Sequence, residues 1–229
     1  MSDTDNVFRE VDEDLRNERM KKLWRQFGPY VIGVAVVIVL LVAGNEAWRW
    51  WQNSNAARGA EQFTAALETV ADGDVAAAQQ ALEDVSATAP GKYPVLAKFR
   101  SAALLAEDGK TTEAVAAYDA LANTLSDKSL RELATLFAAY LLVDQAEPAA
   151  VSQRVIAMND DAHPLRNAAR EALGLAHYKA GDLQEARNLF DKIAADPLAP
   201  RDLGLRVSLY IGQLQSQGIL AETSEAATE

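Results

Sequence analysis

Two histidines, His163 and His177, are the only imidazoles in a chain of 229 residues that has no cysteine. The absence of thiols removes disulfides, thiolate metal sites and cysteine nucleophiles from the inventory. The stretch Asp160-Asp161-Ala162-His163-Pro164 brings two carboxylates and an imidazole close in sequence, a set that could ligate a divalent metal. A charged interhelical loop with a helix-capping Asp explains the same residues, because a short acidic side chain before a helix accepts its free N–H groups. His177 reads as a packing substitution. Asp12, Glu13 and Asp14 are adjacent, so on a helix they point in different directions and make a poor cation site. No Gly-x-Ser-x-Gly elbow, Walker loop, HExxH pair or dinucleotide fingerprint occurs. The chain is expected to be non-enzymatic, with no cofactor, no metal and no small-molecule substrate.

The formal charge of −11 argues against nucleic acid as a partner, because phosphate binding needs an excess of basic surface. The composition is rich in Ala, Leu and Glu and poor in Gly and Pro, which predicts an all-α fold.

One segment is unlike the rest. Phe27 to Gly44 carries no charge, and at ~1.5 Å per residue such a helix covers ~27 Å, close to the thickness of a hydrocarbon core. Val31 to Val42 is apolar on every face, whereas a helix of a soluble core would show polar residues every third or fourth position. Trp24 and Tyr30 precede the run and Trp48, Trp50 and Trp51 follow it, the placement of interfacial aromatic belts. Three readings compete: a core helix, a cleaved export signal and an uncleaved anchor. The bulky rings of "NEAWRWWQ" stand where a signal peptidase requires small side chains, and some twenty residues of mixed charge come first, so the flanks favour the anchor. Arg16, Arg19, Lys21, Lys22 and Arg25 lie before it and only Arg49 and Arg58 follow closely, which orients the N-terminus to the cytoplasm.

The sequence therefore divides into an amphipathic cytoplasmic tail (1–26), a transmembrane anchor (27–51), an exported helical domain (52–217) and a flexible C-terminal tail (218–229). In the first tail, Phe8, Val11, Leu15, Leu23, Trp24 and Phe27 form one apolar stripe. It reads as a solvated helix whose basic end touches anionic lipid, or as a docking helix for a partner.

Beyond Asn53 the helical pieces are short and break near Asp72-Gly73, Ala89-Pro90, Asp108-Gly109, Ser126-Asp127, Glu147-Pro148, Gly181-Asp182 and Pro197. The stretch from Leu173 to Phe190, with Gly174, Gly181, Ala186 and Phe190, resembles a tetratricopeptide repeat. Gly174 permits close helix approach, Gly181 the turn, Ala186 the helix crossing, and Phe190 fills the space one turn later. Arg170 stands where the consensus has Trp, and His177 where it has Tyr. The pattern recurs: Gly73 and Ala78, then Gly109, Ala114 and Tyr118, then Ala150, then Gly181 and Ala186, with the alanines 36 residues apart. The third copy is the poorest, with Gln145 for the turn glycine and Arg154 for the aromatic. Stacked hairpins of this kind form an α-solenoid, with Leu203, Val207, Tyr210, Ile211 and Leu214 on a terminal capping helix.

In tetratricopeptide arrays the first helices of the hairpins line a concave face. Carried over from Leu173-Gly174, the candidate partner groove comprises Glu171, Leu175, Tyr178 and Lys179, and further back Phe99 and Glu107. The order of tail, anchor, Trp48-Arg49-Trp50-Trp51 and degenerate repeats resembles the YfgM-type ancillary subunits of the bacterial Sec translocon. That resemblance implies an inner-membrane scaffold with its repeats in the periplasm, beside the SecYEG translocon and a membrane-anchored periplasmic chaperone. The acidic start is longer than the tails of that family. An envelope scaffold unrelated to translocation, or a sensor holding a cytoplasmic regulator through residues 1–25, are the competing functions.

Overall fold

The structure, a computed structural model, describes residues 3–145 and 148–221. Within the first helix it describes the side chains of residues 24, 25, 27, 29, 30, 32–34 and 36 onward. The side chains of the apolar stripe from Phe8 to Leu23, and the last eight residues of the expected C-terminal tail, 222–229, lie outside what is described.

The fold is all-α, as composition predicts. The elements are α1 (Asp3–Ala71), α2 (Val75–Thr88), α3 (Tyr93–Glu107), α4 (Thr111–Thr124), α5 (Lys128–Leu142), α6 (Pro148–Val155), α7 (Arg166–Ala180), α8 (Leu183–Ala194) and α9 (Arg201–Ser216). A 3-10 turn, Ile156–Met158, follows α6. Contacts divide the chain into residues 1–58 and 59–229, so the packed helical unit begins at Gly59, within α1.

In the first unit, α1 carries the one stretch among the described residues that is long and apolar enough to cross a membrane. Its described side chains have no protein cover: Ile32, Val36, Val39, Leu40 and Leu41 are all more than half exposed. That is the opposite of a soluble-core helix, whose apolar residues would be buried. Pro29 lies inside α1 without ending it.

In the second unit, the end of α1 shares a side-chain cluster with α2 and α3; α3 packs on α4, α5 on α6, α7 on α8, and α9 on α8. The turns are built by glycines in the left-handed region, where an L side chain would clash. Gly109 has φ 77° and Gly181 φ 86°. After Gly181 the Asp182 amide returns to the His177 carbonyl at 2.9 Å. Asp74 and Asp127 accept from the amides of Ala77 and Leu130 at 3.0 and 3.1 Å, capping α2 and α5.

The repeat is visible in what is buried. Ala66, Ala102, Ala138 and Gly174, one on each first helix, are all buried. Their small size brings the helices of each pair together. Ala114 and Ala186 are fully buried, as is Ala78. The third copy departs from the expected register. Ala150 is only half-buried, and the fully covered residue is Val151. Counted from its own helix start, Val151 is the fourth residue of α6, as Ala114 is of α4 and Ala186 of α8. Eighth in each second helix come Leu82, Tyr118, Val155 and Phe190, all buried. The longer connection between α5 and α6 shifts the register by one residue, so Val155, and not Arg154, fills the aromatic position.

The core is accordingly distributed as separate clusters along the array. One joins Ala66, Leu82, Val85 and Leu104, a second Ala102, Tyr118 and Leu121, a third Leu136, Val155, Leu173 and Leu189, and a fourth Phe190, Ile193, Leu203, Val207 and Leu214. Such a sequence of local cores is the energetics of a solenoid: no hairpin buries its own apolar face, and stacking supplies the cover. Past α9, Ile219 packs on the fourth cluster and its carbonyl accepts from Arg187 at 3.1 Å. The first residues of the expected tail are therefore held against α8.

Candidate functional site

The packed unit carries a groove of about 710 Å³. The first helices of successive pairs supply it: Ala103, Ala106 and Glu107 from α3, Phe137, Tyr140 and Leu141 from α5, Glu171 and Leu175 from α7, and Arg206 and Tyr210 from α9. Tyr118 of α4 reaches in from behind. Spacings of three and four place each set on one helical face, which is why four helices present stripes to one hollow.

Its floor is aromatic. Tyr118 and Phe137 lie 5.5 Å apart at 61°, and Phe99 meets both, at 6.0 Å from Tyr118 and 6.1 Å edge-on to Phe137. Tilted and edge-to-face pairs of this kind add stabilisation beyond the area they bury. Phe137 stays 37% exposed, so one face of this cluster remains open to the groove. At the other end Tyr210 stacks on Phe190 at 5.3 Å and meets Tyr178 at 5.6 Å.

A buried polar network forms one wall. Glu171 is buried, and its Oε2 accepts from the Tyr140 hydroxyl at 2.6 Å. Arg206 donates to the same carboxylate from Nε at 3.0 Å and Nη2 at 3.1 Å, a two-pronged pair that fixes geometry as well as charge. The Tyr140 oxygen also lies 3.1 Å from the Ala168 carbonyl. Burial, then the hydrogen bond to Glu171, push the Tyr140 phenol far above its ordinary value. The Glu171 bond likewise holds the Arg206 guanidinium above its usual range. Both carboxylate oxygens accept hydrogen bonds, one on Oε1 and two on Oε2, so Glu171 is held in place by three donors from two other helices. Glu107 is held by Arg100 at 2.7 Å.

The sequence candidates distribute as follows. Glu107, Glu171 and Leu175 line the groove, Phe99 lies in its floor cluster, and Tyr178 supports Tyr210. Lys179 does not line it, and pairs with Asp144. Tyr140, Phe137 and Arg206 carry no local signal that assigns them to a groove, because their partners are in other helices, and Tyr210 reads from the sequence only as a capping residue.

The His163 loop is structural. His163 Nδ1 accepts from the Leu165 amide at 3.1 Å, which leaves the proton on Nε2, 3.3 Å from Glu132 Oε1. Asp160 accepts from the Ala162 amide at 2.9 Å within its own turn and caps no helix, because Leu165 is the residue that precedes α7. Asp161 pairs with Arg170, the residue in the consensus Trp position, and Arg170 also donates to Asn159. His177 lies 3.3 Å from Asp182. Among the described residues no three His, Cys, Asp or Glu side chains converge as a metal site.

A further ion pair locks the last hairpin. Arg166 Nε donates to Asp196 at 2.6 Å and Nη2 at 2.9 Å, and Asn167 adds a bond at 2.8 Å. These bonds, the Arg166 one foremost, hold the Asp196 carboxyl well below the usual carboxylate range.

Residues 21–203 match the family described as "Tetratricopeptide repeat-like domain". No curated protein and no solved structure matches the chain.

Proposed function

Because the chain belongs to the tetratricopeptide repeat-like family, whose helical arrays serve as protein-interaction scaffolds, we propose that it is a non-enzymatic, membrane-anchored adaptor that docks polypeptides in the α3–α5–α7–α9 groove. The observation that carries this is the groove itself. It combines an open aromatic face at Phe137 with a wall in which each carboxylate is already paired, a surface for holding a chain and not for transforming one.

The finer reading is an accessory subunit of the Sec translocon that passes emerging proteins to a membrane-anchored periplasmic chaperone. In this reading α1 crosses the inner membrane once, the N-terminus is cytoplasmic and residues 59–221 are periplasmic. Support comes from the bare apolar run of α1, from Trp24, Tyr30, Trp48, Trp50 and Trp51 flanking it, and from the basic bias before it. The arrangement around Trp48-Arg49-Trp50-Trp51 is what resembles the translocon subunits. Affinity isolation in mild detergent tests the assignment: translocon subunits and an anchored chaperone should co-purify. Recovery of cell-wall or division proteins in their place would replace it with the envelope-scaffold reading.

A further inference from the structure

The last helix of a solenoid normally turns a polar face outward, because nothing follows to cover it. α9 does not. Leu205 and Leu209 are 63% and 75% exposed, on a face shared with Ser208 and Gly212, at spacings of three, four and seven.

The repeat explains where this face comes from. α7 and α9 occupy the groove wall through matching pairs: Glu171 with Arg206, and Leu175 with Tyr210. The same step carries buried Ala172 onto buried Val207. It also carries Arg170 onto Leu205 and Gly174 onto Leu209. In α7, Gly174 is the position that faces Phe190 of the following helix. Among the described residues no second helix follows α9, and Leu209 stands at the position through which α7 meets α8.

We propose that this face docks the same face of a second copy of the chain, α9 against α9 antiparallel about a twofold axis between Ser208 and Leu209. Three features favour a second copy. The chain carries a net charge of −11, so copies repel over most of their surface, yet Leu205, Ser208, Leu209 and Gly212 carry no charge and oppose no like charge when paired with themselves. The twofold arrangement sets each Leu205 over the partner's Gly212, a large residue into a gap, and places Leu209 beside the partner's Ser208. Finally, two leucines per copy cover far less than the ~800 Å² per partner of a free-standing complex. Such a contact suits chains already confined together, and that confinement rests on the bilayer reading of α1.

The absence of cysteine makes the test clean. Ser208→Cys in the full-length chain, oxidised in native membranes, should give a disulfide-linked homodimer at least tenfold more efficiently than Ser129→Cys, an exposed control in α5. Adding Leu209→Glu should return the yield to the control level, with helical content by circular dichroism unchanged. Equal yields from positions 208 and 129, a yield indifferent to Leu209→Glu, or linkage of position 208 to a different protein in place of itself would each overturn the pairing. The readout involves neither groove nor translocon, so these results leave the proposed function to be judged on its own test.

Discussion

A Cβ placed on Gly174 would lie 2.5 Å from Cε1 of Phe190, inside a fully buried ring. The two residues define how closely α7 and α8 approach, and the hairpin they lock supplies both Glu171 and Leu175 to the groove. Gly174→Ala must displace the ring or the helix, and overpacking of this kind costs about 1–3 kcal/mol. Pairing it with Phe190→Leu should recover part of the loss, a coupling that urea unfolding of the four variants, followed by circular dichroism, will measure.

The Glu171–Arg206 pair is asymmetric. The Glu171 side chain is 7% exposed and Arg206 53%. Arg206→Ala strands a buried carboxylate with only the Tyr140 hydroxyl, and should cost about 1–3 kcal/mol. Glu171→Gln leaves the guanidinium facing water and should cost less. Equal effects in denaturant titrations would mean that the carboxylate is solvated in solution.

Acid should weaken the α7–α8 hairpin through Asp196. Its folded pKa is depressed, so the unfolded chain takes up the proton first as pH falls. The stabilisation is present in full above the ordinary carboxylate value of 3.8 and declines as pH falls from there toward the lower folded value. Thermal unfolding of Asp196→Asn, compared with the unmodified chain, should show a smaller loss of Tm across that window.

All four tryptophans lie in α1, at 24, 48, 50 and 51, so indole fluorescence reports the first unit alone. In reconstituted vesicles, lipids brominated near the headgroup should quench it strongly, and urea that unfolds residues 59–221 should leave that quenching in place. Loss of quenching in parallel with unfolding would tie the rings to the helical domain and not to lipid.

Much of this architecture is legible in the sequence because its determinants are local. The uncharged run before Gly44, the turn glycines Gly109 and Gly181, and the Gly174–Phe190 pair each announce themselves within a few residues. The third hairpin misleads for a physical reason. Ala150 keeps the 36-residue spacing, yet the longer connection after α5 moves the buried positions to Val151 and Val155, and an aliphatic at each looks like no repeat at all. Pairs that span helices are hidden altogether. Gly59, where a Cβ would meet the Pro90 carbonyl at 2.9 Å, sits in an unbroken helix and gives no sign of the contact. Tyr140, Arg206 and Asp196 are ordinary surface residues until the stacking brings their partners to them.

In the proposed function the groove holds polypeptide while α1 holds the membrane. A photo-crosslinking residue introduced at Phe137 in the full-length chain, activated in intact cells, tests it most directly, with Gln80 on the exposed side of α2 as the control position. Protein adducts at 137, from membrane-bound material, should be several-fold stronger than at 80. Adducts at 80 matching those at 137, or adducts confined to chain recovered in the soluble fraction, would contradict it.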